Sequence, residues 1–168
     1  SVDHASNRVP SFVNDGDLGV GPEDMARHIS YDVGAAGVAF ALSEHLKSPA
    51  VLSNFSRLVI DPNRSLLDPT LIMQLYDGTL IPANRNLSAD QIATRNARLY
   101  QPYHDALQTL LTRQPKAALL AIHSFTPCLR GSAPRPWHIG VLYAKKNPHL
   151  SQAIMAELAK EADLTVGD

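Results

Sequence analysis

The sequence has few charged residues, few aromatic residues and almost no cysteine. Charged residues make up 18% of the 168 positions, and the formal net charge is -1. A nucleic-acid binder needs a basic surface that neutralises several phosphates, so this balance argues against nucleic acid as a partner. The single cysteine, Cys128, cannot form an internal disulfide or a thiolate zinc site. Any metal would therefore use histidine and oxygen ligands.

Long apolar runs are also absent. No stretch of about 18 consecutive apolar residues occurs, which argues against a membrane span. No secretory signal is predicted either, so we expect a cytoplasmic protein. One domain over residues 1–168 fits the length and the 45% hydrophobic content. We expect that domain to be truncated at one or both ends, because Ser1 stands where a methionine would and a strand-like segment reaches the last residues.

Apolar periodicity predicts alternating helices and strands. Helices are predicted shortly after Gly21 and over residues 34–47, 88–111 and 150–162. Strands are predicted at residues 50–53, 57–61, 117–122 and 137–143, the third of them central and buried on both faces. Residues 65–87 are expected to form a long ordered loop. The alternation predicts an α/β fold with helices on both faces of a largely parallel sheet.

Three local signals refine this prediction. Ser88 and Gln91 match a capping box, and Pro102 is expected to kink the helix that follows. The helix over residues 34–47 has an apolar stripe that is expected to face a sheet. That stripe consists of Val38, Ala41, Leu42 and Leu46.

Polar residues cluster at three expected strand ends, where ligands collect in open α/β sheets. These clusters are residues 3–8, 61–64 and 123–124. His4 and His123 could supply two nitrogen ligands and a neighbouring oxygen a third, which is a ligand set of catalytic zinc. The alternative is that each histidine is an ordinary hydrogen-bonded residue at a strand end.

Arg64 follows a proline-stiffened turn and is a candidate clamp for a substrate carboxylate. The alternative is a simple ion pair with Asp61 or Asp68. Arg135 could add positive charge at the same rim, although such residues are more often solvated.

Other nucleophiles and histidines are weaker candidates. Ser124 adjoins His123 but lacks a nucleophile elbow, and adjacent strand residues point to opposite faces. Cys128 has no activating neighbour in the sequence. Among the helical histidines, His28 is the best candidate because Asp32 follows four residues later.

Several blocks together resemble the N-formylglutamate amidohydrolase (N-formylglutamate deformylase) family. They are DHASNRVP at 3–10, HISYDVGA at 28–35, LVIDPNR at 58–64, GTLIP at 78–82, YQPYH at 100–104, HSF at 123–125 and RPWHIG at 135–140. The blocks occur in the family's order over nearly the whole chain. No single block is specific, but several in register make an accidental similarity improbable.

The resemblance implies a three-layer α/β/α sandwich around a mostly parallel, mixed sheet, of the phosphorylase/hydrolase-like kind found in zinc-dependent exopeptidases. It implies hydrolysis of N-formyl-L-glutamate, or a related N-acyl amino acid, to formate and glutamate by a zinc-activated water. Such a reaction is a step of histidine degradation. A small-molecule substrate is therefore the expected partner, with neither nucleic acid nor a membrane involved.

The resemblance also assigns roles to residues. His4 and His123 carry over as zinc ligands, and Asn7 stands where carboxypeptidase-like relatives have a glutamate ligand. Asn63 and Arg64 resemble the pair that holds a substrate carboxylate. A carboxylate could come from Asp32 or Asp61, or either could orient a histidine together with His28. The general-base glutamate is expected beyond Asp168.

Two other kinds of protein compete with this hydrolase. A metal-free binding module would keep the fold and the arginine clamp but would have lost hydrolysis. A purely structural domain would use its polar strand ends to satisfy backbone groups. The clustering of histidine, asparagine and arginine at three strand ends argues against the structural domain.

Overall fold

A computed structural model describes residues 1–129, 131–144 and 148–167. The chain divides into two units, Ser1–Thr126 and Pro127–Asp168. Short helices and strands occur in both units, so the observed class is mixed α/β. None of the described helices has the length and apolar character that a membrane span requires. The single domain expected over residues 1–168 stays a prediction.

The described part of the first unit contains four α-helices and one hairpin. The helices are α1 (Pro22–Met25), α2 (Ala35–Leu46), α3 (Ala89–Arg95) and α4 (Gln101–Arg113). Strands β1 (Leu75–Tyr76) and β2 (Thr79–Leu80) pair antiparallel. Asp77 and Gly78 form the turn between them with φ values of 43° and 80°. Two positive φ angles in a two-residue turn are what an Asp-Gly hairpin uses.

The helical run that starts at α3 begins where the sequence predicts, and the kink expected at Pro102 stays a prediction. The Ser88 hydroxyl accepts the Gln91 N–H and the Gln91 side chain accepts the Ser88 N–H, which confirms the capping box. A π-helical turn at Asn96–Tyr100 joins α3 to α4. Pro102 has no N–H to donate to the carbonyl of Arg98, and widening the preceding turn accommodates this loss.

The described part of the second unit contains helix α5 (His149–Leu158) and strands β3 (Ile139–Gly140) and β4 (Val166–Gly167). The two strands pair in parallel. The predicted helix over residues 150–162 is confirmed for most of its length. The predicted strand over residues 137–143 is reduced to the two residues of β3.

Two other predicted strands are wrong in detail. Residues 57–59 form a turn, because the Ser56 hydroxyl accepts the Leu58 N–H and the Ser56 carbonyl accepts the Val59 N–H. The 117–122 segment is not buried on both faces, since Leu119 is 50% exposed and Leu120 is 38% exposed.

Parallel pairing nevertheless occurs at the start of the chain. Val2 forms a parallel bridge with Leu52, inside the predicted strand over residues 50–53. On the other side of this segment, Ile122 N–H donates to the Ser1 carbonyl over 2.9 Å. Three segments therefore lie side by side, although among them only the Val2–Leu52 pair forms a β-bridge. The three-layer sandwich with a central parallel sheet stays a prediction.

Helix α2 does not bury the stripe predicted for it. Val38 and Leu46 are 52% and 54% exposed, whereas Ala35 and Ala39 are buried against Val2. Small side chains allow the helix to approach Val2 closely, and this contact sets the buried face.

The core of the first unit surrounds a buried polar network. Its apolar members are Val13, Leu18, Ile29, Phe55, Leu58, Val59, Ile60, Leu71, Met73, Ile81 and Leu99. Within it, the Asn84 amide donates to the carbonyls of Leu58 and Met73 over 2.7 Å each. Arg95 donates to the Asn84 side-chain oxygen over 2.6 Å, and burial lowers the pKa of Arg95 to about 10. Asn84 thus joins the turn at residues 57–59 to helix α3.

Replacing Asn84 with alanine should destabilise the protein by about 2–4 kcal/mol, because two buried carbonyls and a buried guanidinium each lose a partner. Urea unfolding measures this loss. The control is Gln108→Ala, an exposed amide on α4, which should change stability by less than about 0.5 kcal/mol. A similarly small loss for Asn84→Ala would contradict the network's role.

Candidate metal centre

Backbone hydrogen bonds bring the candidate residues of the first unit together. The Asp32 N–H donates to the His4 carbonyl over 2.8 Å. Ser1 contacts the 120–122 segment, since its ammonium donates to the Leu120 carbonyl over 2.6 Å and its carbonyl accepts the Ile122 N–H over 2.9 Å. His123 follows directly after this contact. Residues far apart in sequence therefore share one end of the extended segments.

Two histidines converge on one carboxylate. The Oδ2 atom of Asp32 lies 3.3 Å from His4 Nδ1 and 2.8 Å from His123 Nδ1. The centroids of the two imidazole rings are 5.2 Å apart. His4, Asp32 and His123 each offer one ligand atom, and these atoms lie within 4.8 Å of one another. The three side chains could therefore hold one metal ion.

The other nitrogen of each histidine faces a second carboxylate. His4 Nε2 lies 2.7 Å from Asp61 Oδ1, and His123 Nε2 lies 3.3 Å from Asp3 Oδ2. The Tyr103 hydroxyl donates to Asp3 Oδ1. A carboxylate on the far nitrogen is the usual partner of a metal-binding histidine, because it fixes which nitrogen carries the proton.

Asp61 is the most enclosed acid of the group, with no exposed side-chain surface. Besides His4, it accepts a hydrogen bond from Arg57 Nη2 over 2.9 Å and one from the Asn63 N–H over 2.9 Å. Arg57 also lies 3.5 Å from Asp32 Oδ1. One guanidinium therefore faces both carboxylates that contact His4.

The ionisation of the cluster follows from these contacts. Burial opposes the charge on Asp32, but hydrogen bonds from His123 and His4 outweigh burial and hold its pKa well below the usual range. The pKa of Asp61 is also lowered, because the hydrogen bond from His4 and the charge of His4 outweigh burial. Hydrogen bonds to Asp3 and Asp32 raise the pKa of His123 to about 9. Without a metal, the cluster is thus a network of anionic carboxylates and protonated imidazole.

The donor set fits a first-row divalent metal. Two imidazole nitrogens and one carboxylate oxygen are ligands that zinc takes in catalytic sites, where a fourth position stays open for water. His4 and Asp32 are buried, whereas the side chain of His123 is 33% exposed. Solvent therefore reaches the cluster at His123.

The candidate clamp lies on the loop that begins at Asp61. Arg64 Nε is 3.9 Å from Asp61 Oδ2, and the Arg64 side chain is 43% exposed. Two residues one helical turn apart hold this loop by its carbonyls. The Tyr100 hydroxyl donates to Arg64 O over 2.7 Å, and His104 Nε2 lies 3.1 Å from Pro62 O.

The other predicted site residues have different surroundings. The Asn7 amide donates to the Met25 carbonyl over 3.0 Å. His28 Nε2 lies 3.5 Å from Asp77 Oδ2. Arg135 belongs to the second unit, where its N–H donates to the Pro127 carbonyl over 2.7 Å. The metal role of Asn7, the supporting role of His28 and the substrate role of Arg135 stay predictions.

Sequence reasoning assigned no role to three members of the cluster. Asp3 adjoins His4, Arg57 precedes Asp61 by four residues, and Tyr103 lies in the YQPYH block. Each stands in or beside a block of the family resemblance, and Asp3 also belongs to the polar cluster at residues 3–8. Nothing in spacing alone predicts that Tyr103 contacts Asp3, 100 positions away.

The fold and the cluster define a mixed α/β protein with a candidate metal centre. The chain belongs to the N-formylglutamate amidohydrolase family, whose model matches residues 1–168, so the resemblance is confirmed. It is also similar to the crystal structure of a gene product from Agrobacterium tumefaciens, with 33% identity and a TM-score of 0.90. That match covers 99% of this chain and 66% of the other, slightly under two thirds. None of the curated proteins matches the sequence.

Metal-free protein should lose stability as the pH rises from about 6.5 to about 9. Because the pKa of folded His123 is raised from 6.5 to about 9, its protonated form stabilises the fold below pH 6.5 and this contribution disappears through pH 9. Urea unfolding in a chelator at several pH values measures the effect. His123→Ala should reduce the slope, and His45→Ala on α2 should not. Equal slopes for the two variants would contradict the assignment.

Proposed function

We propose that this chain carries the metal centre and carboxylate clamp of a hydrolase that converts N-formyl-L-glutamate and water to formate and L-glutamate. The observation that carries the proposal is the cluster of His4, Asp32 and His123, whose ligand atoms lie within 4.8 Å of one another. Membership of the N-formylglutamate amidohydrolase family suggests that the bond cleaved is an amide and that the substrate is an N-acyl amino acid. The proposed metal is zinc, because this ligand set is common in zinc hydrolases.

The chain's own residues prepare the site for this reaction. When bound, zinc lowers the pKa of a coordinated water and polarises an amide carbonyl. His4 and His123 present Nδ1 to the cluster because Asp61 and Asp3 occupy the space at their Nε2 atoms. Asp32 contributes a buried anionic oxygen between the two imidazoles. The ligands are thus oriented before a metal arrives, which limits the reorganisation that binding requires.

Arg64 and Asn63 are the proposed contacts for a substrate carboxylate. The Arg64 guanidinium is only loosely paired with Asp61, at 3.9 Å, and its side chain is 43% exposed. A planar guanidinium can bind both oxygens of a carboxylate at once. Because the backbone of Asp61 to Arg64 is anchored next to His4, a bound carboxylate would place the rest of a small substrate beside the cluster.

Finer expectations belong with this proposal. The parallel bridge between Val2 and Leu52 supports a three-layer α/β/α sandwich. The general-base glutamate is expected outside residues 1–168. A cytoplasmic location and a step in histidine degradation follow from the family resemblance, and they stay predictions.

A metal-free carboxylate-binding module is the second candidate. One observation favours it: Asp32 already lies within 3.3 Å of both histidines, so the cluster satisfies its own charges without an ion. Such a module would use Arg64 for its ligand and would neither bind zinc nor release formate.

Removing the metal should abolish formate release from N-formyl-L-glutamate, and adding zinc back should restore it. His4→Ala and His123→Ala should each lower kcat/KM by at least about 100-fold, because each removes a proposed ligand. A coupled formate assay measures turnover. His45→Ala, on the exposed end of α2, is the matched control and should keep full activity.

Two outcomes separate the candidate functions. Formate release that persists in the chelator would rule out the metal-dependent reaction. Protein that binds N-formyl-L-glutamate through Arg64 but takes up no zinc and releases no formate would favour the binding module.

Arg64→Ala should raise the KM for N-formyl-L-glutamate by about 10- to 100-fold with a smaller effect on kcat, because it removes a charged contact to substrate. Arg64→Lys should recover only part of the loss, since lysine cannot form the bidentate contact. The control is Arg113→Ala at the exposed end of α4. An unchanged KM for Arg64→Ala would place the clamp elsewhere.

A further inference from the structure

The two histidines of the cluster differ in how firmly the fold holds them. His4 is 1% exposed and lies 2.7 Å from an acid with no exposed surface, Asp61. His123 is 33% exposed and follows an extended segment whose leucines are largely exposed. Core packing therefore restrains the His4 ring but does little to fix the ring of His123.

The structure supplies His123 with a different restraint. Asp3 Oδ2 lies 3.3 Å from His123 Nε2, and Asp3 Oδ1 accepts the Tyr103 hydroxyl. Asp3 and Tyr103 are 8% and 6% exposed. The two oxygens of one buried carboxylate thus connect a rigid helix to the more exposed imidazole. Tyr103 lies in the first turn of α4, beside the residue that contacts Pro62.

We propose that Asp3, held by Tyr103, is the positioning residue that keeps His123 Nδ1 directed at the metal. This inference rests on the metal role proposed for His4, Asp32 and His123. An imidazole can rotate about its Cβ–Cγ bond and can carry its proton on either nitrogen. A fixed acceptor at Nε2 selects the ring orientation and the tautomer that leave the Nδ1 lone pair for a metal.

The position of Tyr103 explains how the acceptor stays fixed. Asp3 lies in the turn that directly follows Val2, and one oxygen of its carboxylate faces His123 Nε2. The hydroxyl from α4 occupies the remaining oxygen, so rotation of the carboxylate would break a buried hydrogen bond. The arrangement at His4 is parallel, since Arg57 and the Asn63 N–H hold Asp61 in the same manner.

Zinc affinity tests this inference without using turnover. The protein is stripped of metal, and the zinc Kd is measured by competition with a chromophoric chelator. Tyr103→Phe should weaken zinc binding by about 10-fold or more, and Asp3→Asn by about 10- to 100-fold. Tyr143→Phe, a partly exposed tyrosine of the second unit, is the control and should stay within about 2-fold of the parent.

A double variant and a spectrum distinguish positioning from general stability. Tyr103 acts through Asp3, so Tyr103→Phe combined with Asp3→Asn should bind zinc no more weakly than Asp3→Asn alone. Cobalt substitution should show an altered visible spectrum in both single variants. A Tyr103→Phe protein with a lower unfolding midpoint but unchanged zinc Kd and cobalt spectrum would overturn the inference. If Tyr103→Phe does not fold, an unchanged Kd in Asp3→Asn does the same.

Zinc binding by the parent protein distinguishes failure of the proposed metal function from failure of the positioning role. A parent that binds no zinc overturns both the proposed metal function and this inference. A parent that binds zinc, with variants that bind it equally well, overturns the positioning role alone.

Discussion

The structure depends on how one buried carboxylate is compensated. Asp61 has no exposed side-chain surface, and an isolated charge there would be strongly unfavourable. Three donors offset this cost: the imidazole of His4, the guanidinium of Arg57 and the N–H of Asn63. These donors come from three parts of the chain: its first residues, the turn at residues 57–59 and the loop at residues 61–64. Asp61 therefore fixes the candidate ligand His4 relative to the loop that carries Arg64.

Side chains of the helical run from α3 to α4 restrain the segments around Asp61 and Asp3. Arg95 in α3 donates to the Val59 carbonyl and so restrains the turn at residues 57–59. Tyr100, the last residue of the π-helical turn, donates to the carbonyl of Arg64, and Tyr103 in α4 donates to Asp3. Since Pro102 accounts for the local widening of the helix, a backbone feature written in the sequence helps to direct these side chains to the cluster.

Sequence patterns predicted the helices better than the strands, and the motifs better than their contacts. The capping box at Ser88 is a local hydrogen-bond pattern, so it was readable from residue types alone. The apolar run at 57–61 was not, because the Ser56 hydroxyl competes for the backbone and makes a turn. His4 and His123 stood out as strand-end histidines. The contacts of Asp32 with both histidines and of Tyr103 with Asp3 join segments about 30 to 100 positions apart, which spacing does not encode.

The central claim is that His4, Asp32 and His123 bind one metal through both Nδ1 atoms and a carboxylate oxygen. Crystals of the zinc-loaded protein, with diffraction data collected on both sides of the zinc absorption edge, test this claim most directly. The account predicts one strong anomalous peak within about 2.0–2.2 Å of His4 Nδ1, His123 Nδ1 and an Asp32 oxygen. An absent peak at this cluster, or zinc bound to Nε2 of either histidine, would contradict it.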